Sequence, residues 1–353
     1  MIPVNTPVLG PREKELLARC IDTGWISSEG PFVAEFEAAT ARAVDRRFGV
    51  AVSSGTAALD VAVSALGIGP GDEVILPAFT IISCAAAVVR AGAVPVVVDA
   101  DPVTWNMDVA RIEEKITPKT RAIMAVHIYG LPVDMRPLMA LAEKHGLKVI
   151  EDAAEMLGQT YGGQPCGSFG DVSVLSFYPN KQVTTGEGGM VLTDDSALAD
   201  RSRSFRNLCF EPGRRFVHHH LGWNYRMTNL QAAVGLAQLE RLADTVRRKR
   251  AMGRRYAENL SAVPGIQLPL AGTDQAENIY WVFGVVMADD GRLDAEAVMA
   301  RLGDHGIGTR PFFWPMHLQP VFRKMGFFTG ESNLVNNSCV EFSIIFYTSK
   351  SIR

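Results

Sequence analysis

Residues 50–59 have the sequence VAVSSGTAAL, which is a short apolar run, then small hydroxyl residues, then alanine and leucine. This order predicts a strand that ends near Ser53 and a helix that begins at Thr56. Backbone N–H groups and hydroxyl groups converge where such a helix begins, and the helix dipole favours an anion there. The stretch therefore predicts either a phosphate-binding turn or an ordinary capped helix. A nucleotide P-loop is not supported, because no Gly-Lys-Ser/Thr ending follows.

Apolar runs alternate with helical patterns along the first two thirds of the chain. This alternation favours an α/β fold with a mainly parallel sheet that helices cover on both faces. The predicted strands are Phe48–Ser53, Glu73–Pro77, Val94–Asp99, Ala122–His127, Lys148–Asp152, Val172–Phe177 and Met190–Thr193. The predicted helices are Thr56–Leu66, Ile81–Ala91, Val109–Ile116, Met135–His145 and a long one over Thr228–Leu260.

The long predicted helix leads out of this region towards a second, smaller domain. A strand near Tyr280–Met287, a helix over Ala295–His305 and a strand leading to Arg310 would build that domain. We therefore expect a large cofactor-binding α/β domain over residues 1–245 and a small C-terminal domain over residues 246–353.

Asp152 and Lys181 carry the strongest chemical signal. Asp152 ends an apolar run, where a carboxylate points into the ligand crevice of an open α/β sheet, although a helix N-cap fits the same position. Lys181 precedes a run of small residues, where a solvated side chain is the ordinary alternative. A lysine amine forms a Schiff base with an aldehyde, and a separate carboxylate keeps a pyridine ring protonated. Together with the turn after residue 52, the pair predicts a pyridoxal phosphate site.

Composition limits the classes of function. The chain has 353 residues, 47% hydrophobic content, 21% charged residues and a net charge of −3, which is ordinary for a globular protein and gives no electrostatic signal for nucleic acid or an anionic membrane. Five cysteines without a Cys-x-x-Cys spacing fit reduced thiols. The first residues show no signal peptide and no apolar run reaches membrane-spanning length, so we predict a cytoplasmic protein without nucleic acid or membrane partners.

Two further clusters have ordinary explanations. The consecutive imidazoles of His218, His219 and His220 diverge on a helix or alternate on a strand, so we predict no metal site. The basic run at residues 247–250 is typical of a solvated helix face.

Eight ordered motifs together resemble the sugar aminotransferases of the DegT/DnrJ/EryC1/StrS family, and most of all its perosamine synthase-like members. The resemblance covers about residues 1–330. The motifs are Gly24-Trp25-Ile26-Ser27, Ser54-Gly55-Thr56, Gly71-Asp72-Glu73-Val74-Ile75, His127-Ile128-Tyr129-Gly130, Glu151-Asp152-Ala153-Ala154-Glu155, Ser176-Phe177-Tyr178-Pro179-Asn180-Lys181, Gly186-Glu187-Gly188-Gly189 and Gly222-Trp223-Asn224-Tyr225-Arg226-Met227-Thr228-Asn229.

The resemblance implies the type I aminotransferase fold of pyridoxal-phosphate-dependent transferases, with pyridoxal 5'-phosphate as cofactor. It also implies a homodimer with shared active sites. Lys181 would form the Schiff base and move a proton during transfer, and Asp152 would pair with the pyridinium nitrogen. The amino donor implied is L-glutamate.

Further cofactor contacts follow from the same resemblance. Gly55, Thr56 and Ser176 match the family's phosphate contacts, with Ser54 in the same turn. Asn224 matches the asparagine that reaches the phosphate from the partner subunit.

Two positions beside the cofactor ring vary within the family. Glu155 takes the position near the ring and its phenolic oxygen, where Gln or His is also found. Many members place an aromatic residue over the ring where this chain has Ile81. We choose Ile81 rather than Phe79 for this contact, because an aliphatic side chain also covers a ring face by dispersion.

The substrate implied is a keto sugar linked to a nucleotide, such as GDP-4-keto-6-deoxymannose, for cell-surface polysaccharide biosynthesis. Trp25, Ser27, Arg310, Trp314 and His317 are the candidates for the sugar pocket, although core packing explains the tryptophans nearly as well.

Other functions remain open. Another keto sugar, such as an eight-carbon acid sugar, is an alternative substrate. A family dehydratase, a non-catalytic regulator and a sugar-binding module are the rival functions. The presence of Lys181 argues against each of these three rival functions.

The C-terminal tail departs from the family pattern. After Gly330 the family continues with a helix and a Leu-Pro-Ser-Gly-like segment, whereas this chain has a different sequence to Arg353. Loss of a terminal helix would expose apolar surface, so we expect any effect on stability rather than on chemistry.

Overall fold

The computed structural model describes residues 2–3, 5–211, 213–287, 295–328 and the backbone of 343–346. The helices are α1 (Pro11–Thr23), α2 (Pro31–Ala43), α3 (Gly55–Ala65), α4 (Ile82–Arg90), α5 (Met135–His145), α6 (Ser196–Arg206), α7 (Asn229–Leu239), α8 (Leu242–Leu260), α9 (Ala295–Asp304) and α10 (Pro320–Lys324). The strands are β1 (Phe48–Val52), β2 (Glu73–Pro77), β3 (Val94–Val98), β4 (Thr120–Val126), β5 (Lys148–Asp152), β6 (Thr160–Tyr161), β7 (Gln164–Pro165), β8 (Val172–Ser176), β9 (Gly189–Thr193), β10 (Ile266–Gln267), β11 (Gly272–Thr273), β12 (Ala276–Glu277), β13 (Phe283–Met287), β14 (Arg310–Pro311) and β15 (Ser343–Phe346).

A seven-stranded sheet in the order β1-β9-β8-β5-β4-β2-β3 forms the centre of the molecule. Five of its strands pair in parallel, and β9 runs antiparallel to both β1 and β8. Side chains alternate between two cores: Val50 and Val52 face one, and Ala51 faces the other. Because both faces are covered, the strands are almost continuously apolar, and the predicted α/β class with a mainly parallel sheet is confirmed.

A four-stranded sheet, β10-β13-β15-β14, lies beyond α8, and its named pairs are antiparallel. No observation divides the chain at residue 245, so the domain boundary at 245/246 stays a prediction. The C-terminal tail that departs from the family pattern lies outside the described residues, apart from the strand Ser343–Phe346.

The seven predicted strands of the large sheet form, each within two residues of its expected ends.

Two helix predictions were wrong. Val109–Ile116 forms two short 3-10 turns, Val109–Arg111 and Glu113–Lys115, the first of which begins where Asp108 accepts a hydrogen bond from the Ala110 N–H at 3.1 Å. The stretch Thr228–Leu260 is two helices, because Arg241 leaves helical geometry at φ −108° and ψ 8°.

Four helices, α1, α2, α6 and α10, were not predicted. Two of them begin with a proline after a glycine, Pro11 and Pro31, which is a recognisable start signal because proline tolerates the first helical position. The helix α6 begins at an Asp195 cap, whose carboxylate accepts the Ala197 N–H at 2.7 Å.

Candidate active site

The carboxyl ends of β1, β5 and β8 meet at one edge of the large sheet. Val52 lies opposite Gly189 in the register of β1 with β9, and Gly189 lies opposite Ser176 in the register of β9 with β8. Asp152 pairs with Val174 on the other side of β8. The turn after β1, the end of β5 and the end of β8 therefore form one crevice, at the position where open α/β sheets bind ligands.

The turn at the start of α3 approaches the end of β8 closely. A Cβ atom on Gly55 would lie 2.8 Å from Ser176 Cβ, so a larger residue would displace one of the two segments. Ser54 Oγ accepts the Ala57 N–H at 3.1 Å and caps the helix, and Thr56 Oγ1 lies 2.8 Å from Ser83 Oγ. Ser54 therefore caps α3, and the role of this turn in phosphate binding stays a prediction.

Asp152 is the last residue of β5 and is only 3% exposed. Its Oδ1 accepts the Ala154 N–H at 3.0 Å, and its Oδ2 accepts a hydrogen bond from the Cys84 thiol at 3.3 Å. Burial raises the pKa of Asp152, while these hydrogen bonds and the charge of Lys181 act in the opposite direction. A buried carboxylate with so few donors gains from any cation placed next to it.

Lys181 and Glu155 form a second pair in the crevice. Lys181 Nζ lies 3.9 Å from Glu155 Oε1, and both side chains are almost entirely buried. Burial raises the pKa of Glu155 to about 8, and the same cause lowers the pKa of Lys181, against the pull of Glu155 and Asp152. Both groups therefore exchange protons nearer to neutral pH than they would in water, as acid–base groups of enzymes do.

Trp281 covers the amine of Lys181 and was not among the sequence candidates. The amine lies 3.7 Å from the centroid of the Trp281 ring, and the indole N–H donates to the Asn180 carbonyl at 3.0 Å. Lys249 donates to the Trp281 carbonyl at 2.9 Å. Burial and the charge of Lys181 lower the pKa of Lys249 to about 8. No spacing rule marks Trp281, Lys249 or Cys84, since each reaches the crevice from a separate element.

The remaining cofactor candidates lie at the surface of the chain. Ile81 is 41% exposed at the start of α4, whereas Phe79 is 5% exposed and packs edge-on against Tyr129. Asn224 is exposed and belongs to an isolated bridge with Asn207. Ile81 is therefore free to cover a ligand and Phe79 is not, while Asn224 is open to another subunit.

The substrate candidates fall into two groups. Trp25 and Ser27 are exposed, and their carbonyls accept hydrogen bonds from Asn229 at 2.7 and 2.8 Å. Trp314 and Arg310 are also exposed, whereas His317 is 3% exposed, so contact of its imidazole with a sugar requires an opening of the surrounding side chains.

A buried triad of His127, Glu151 and Cys166 lies beside Asp152 with ligand atoms close enough for a metal ion. The polar side-chain atoms of His127 and Glu151 already have partners. His127 Nδ1 accepts the Val133 N–H at 3.1 Å and its Nε2 lies 2.9 Å from Glu151 Oε1, while Glu151 also accepts the Gly167 N–H at 2.7 Å. We interpret the triad as a hydrogen-bonded support that fixes the end of β5.

The crevice fits pyridoxal phosphate. It offers a buried amine, a separate buried carboxylate and a glycine turn into which a Cβ would not fit, which are the kinds of group that bind an aldehyde, a pyridine nitrogen and a phosphate. The residues that would hold the group are Lys181, Asp152 and the Ser54–Thr56 turn with Ser176.

Among the described residues, no helix is long and apolar enough to cross a membrane.

The chain is similar to known proteins in both sequence and fold. Residues 7–339 match the model of the DegT/DnrJ/EryC1/StrS aminotransferase family. The chain is 44% identical to GDP-perosamine synthase of Caulobacter vibrioides, over 91% of this chain and 86% of that protein, and 43% identical to GDP-perosamine synthase of Escherichia coli O157:H7, over 91% and 87%. The structure is similar to that of the aminotransferase TlmJ from Streptoalloteichus hindustanus, with a TM-score of 0.89 and 32% identity over 98% of this chain and 93% of that one.

The matches extend over nearly the whole length of both partners, so they concern the complete fold and not one shared motif. They confirm the predicted type I aminotransferase fold and the predicted cofactor, pyridoxal 5'-phosphate. Together with the buried amine and carboxylate at the sheet edge, they show that this chain is a pyridoxal-phosphate-dependent aminotransferase and belongs to the DegT/DnrJ/EryC1/StrS aminotransferase family.

Proposed function

We propose that the protein transfers an amino group from L-glutamate to the keto group of a nucleotide-linked sugar, with GDP-4-keto-6-deoxymannose as the first candidate. The observation that carries the proposal is the buried crevice of Lys181, Asp152 and Glu155 in a chain 39–44% identical to three GDP-perosamine synthases. Its biological setting would be the synthesis of cell-surface polysaccharide in the cytoplasm.

The chemistry divides between the cofactor and the chain. When bound, pyridoxal phosphate supplies the aldehyde that carries nitrogen between substrates and the ring that accepts electrons from a substrate carbon. Lys181 Nζ would hold the aldehyde between turnovers, and as a free amine it would take the proton from the donor carbon in one half-reaction and deliver a proton to the sugar carbon in the other. Asp152 would keep the proton on the ring nitrogen, because a buried carboxylate stabilises a cation beside it.

Glu155 and the α3 turn orient the bound group. The Glu155 carboxyl lies 3.9 Å from the Lys181 amine, which is an ion-pair distance and too long for direct proton transfer, so Glu155 acts on the amine through its charge when it is ionised. Gly55, Thr56 and Ser176 would bind the phosphate through N–H and hydroxyl donors, and Ile81 would cover the ring. Trp25, Ser27, Arg310, Trp314 and His317 remain the candidates for the sugar.

The direct test is a product assay. Purified protein with pyridoxal phosphate, L-glutamate and GDP-4-keto-6-deoxymannose should yield a nucleotide-linked amino sugar, identified by mass and by retention of the nitrogen from labelled glutamate. UDP- and dTDP-linked keto sugars and an eight-carbon acid sugar serve as alternative acceptors in parallel. If only one of these alternative acceptors is aminated, that sugar becomes the proposed substrate and the reaction class stays the same. If none of the acceptors receives nitrogen from glutamate, the proposal is rejected.

We further propose a homodimer in which Asn224 reaches the phosphate of the partner's site. The support is the exposure of Asn224 together with the large exposed side chains Trp25 and Leu221, which are 49% and 93% exposed in the single chain. In such a dimer each site needs Lys181 from one chain and Asn224 from the other across a two-fold axis.

Mixing two inactive variants tests this arrangement. The variants are Lys181→Ala and Asn224→Asp, whose new carboxylate repels the phosphate. Half of randomly refolded dimers are mixed, and each mixed dimer has one intact site, so the activity should recover to about a quarter of wild type. If proven mixed dimers remain inactive, Asn224 acts within its own chain or not at all.

A further inference from the structure

The free amine of Lys181 lies between two partners of opposite kind. On one side is the face of the Trp281 ring, 3.7 Å from Nζ to the ring centroid, and on the other is Glu155 Oε1 at 3.9 Å. A lysine ammonium is attracted to an aromatic face and most strongly to that of tryptophan, and the attraction increases where water is excluded. The two partners together make a place that favours the charged amine inside a buried crevice.

Trp281 is held in this position through its side chain and its backbone. The indole N–H donates to the Asn180 carbonyl at 3.0 Å, next to Lys181 itself. The Trp281 carbonyl accepts Lys249 Nζ at 2.9 Å. The backbone nitrogen of Trp281 lies close to Gly130, which has a φ of +109°. A Cβ atom at position 130 would be 2.8 Å from this nitrogen, so only glycine leaves room for it. The indole hydrogen bond fixes the ring, and the two backbone contacts fix the chain that carries it, so the ring presents a defined surface to the amine.

Within the part of the chain that the structure describes, four titratable groups face the Lys181 amine from the elements packed around it. Asp152 from β5 and, when it is ionised, Glu155 from the turn after β5 attract its charge, Lys249 from α8 repels it, and Cys84 from α4 is a buried thiol with a pKa raised well above its usual range. A substitution at Trp281 leaves all four in place. Its effect on the amine therefore isolates the contribution of the ring.

We propose that Trp281 is a positioning residue that, with Glu155, forms the resting place of the Lys181 ammonium whenever the lysine is not bonded to the cofactor. The inference rests on the proposed role of Lys181. In the resting place the amine is charged, fixed and unreactive, and it becomes a nucleophile only when it loses a proton and leaves the ring. Trp281 therefore sets the pH at which Lys181 captures the cofactor.

The test follows capture of pyridoxal phosphate by full-length protein from which the cofactor has been removed. The rate of adduct formation, recorded by visible absorbance, is measured against pH for wild type and for Trp281→Leu. Leucine keeps the site apolar and removes the ring face, so the charged amine loses stabilisation and its pKa falls. We expect the midpoint of the pH–rate curve to move down by about one pH unit, which makes capture up to about tenfold faster below the midpoint.

Trp105→Leu is the matched control, because Trp105 is 5% exposed and packs in the same aromatic cluster, against Phe312 at 5.2 Å. Its midpoint should equal that of wild type. If Trp281→Leu does not fold, Trp281→Phe keeps a weaker ring face and should move the midpoint in the same direction by less. A midpoint that stays constant or rises in the folded Trp281 variant overturns the inference.

Lys181→Ala separates this inference from the role of Lys181. If that variant forms no adduct and the Trp281 midpoint does not move, Lys181 keeps its role and the resting place is rejected. If Lys181→Ala captures the cofactor at the wild-type rate, another residue forms the adduct. The proposed role of Lys181 and the proposed role of Trp281 are then both rejected. Slower capture by Trp281→Leu at every pH, without a change of midpoint, also rejects the resting place and leaves Trp281 as ordinary packing.

Discussion

The two ends of the crevice are built on different physical principles. At the α3 end, backbone N–H groups, hydroxyls and a glycine form an open cradle at the start of a helix. At the other end, Asp152, Glu155 and Lys181 are ionisable groups from which water is excluded. An open cradle costs little to keep ready for an anion, whereas buried charges cost desolvation and have shifted pKa values in return. Affinity for the cofactor should therefore depend mainly on the first end, and chemistry on the second.

The largest effect is expected from Lys181→Ala. We expect turnover to fall below detection, because both the attachment of the aldehyde and the proton transfer are lost. The cradle and Asp152 do not depend on the amine, so some cofactor should remain bound without a covalent link. Equilibrium dialysis with pyridoxal phosphate measures this, and complete loss of binding would contradict the division between the two ends.

Asp152→Asn should also impair chemistry more than binding. An amide does not hold a proton on the ring nitrogen, so glutamate-driven spectral conversion should slow by about 100-fold, a loss of the size that acid–base groups contribute. Stopped-flow absorbance measures the conversion. Asp60→Asn is the control, because Asp60 is a buried carboxylate paired with Arg90 at 2.6 Å. A wild-type rate in Asp152→Asn would mean that another carboxylate has this role.

Gly55→Ala should impair cofactor binding more than chemistry. The new Cβ would lie 2.8 Å from Ser176 Cβ, so the two segments must separate, at a cost of about 1–3 kcal/mol. We expect cofactor affinity to fall by about tenfold, while the conversion rate of the saturated enzyme stays near wild type. Gly69→Ala is the control, since its Cβ would meet no atom closer than 3.8 Å. Equal affinity in the two variants would remove Gly55 from the cradle.

The sequence predicted more of the α3 end of the crevice than of the end with the buried ionisable groups. The cradle is a local pattern, because Ser54, Gly55 and Thr56 are adjacent and the helix after them is apolar. Asp152 was predicted because it ends an apolar run at the edge of a parallel sheet, and Lys181 because it precedes a run of small residues. Trp281 and Lys249 were missed since only the packing of α8 and of the segment before β13 brings them to the amine. The break at Arg241 was missed because the helical pattern continues through it.

The smallest effect is expected from Glu155→Gln and depends on pH. Burial raises the Glu155 pKa from 4.5 to about 8, so between these values the folded protein holds a proton that the unfolded chain has lost. This group therefore lowers the stability of the wild type as pH rises from about 4.5 to 8. Without cofactor, the melting temperature of Glu155→Gln relative to wild type should rise over that interval. A difference that is constant with pH would show that Glu155 is ionised throughout.

The central claim is that Lys181 is the covalent anchor of the cofactor, at the buried end of the crevice. Borohydride reduction of the protein loaded with pyridoxal phosphate, followed by peptide mass analysis, tests this most directly. We predict one added cofactor per chain, on Lys181, and its disappearance when glutamate is added before the reduction. A cofactor found on Lys249 or on another lysine, or no reducible adduct in folded and saturated protein, would contradict the claim.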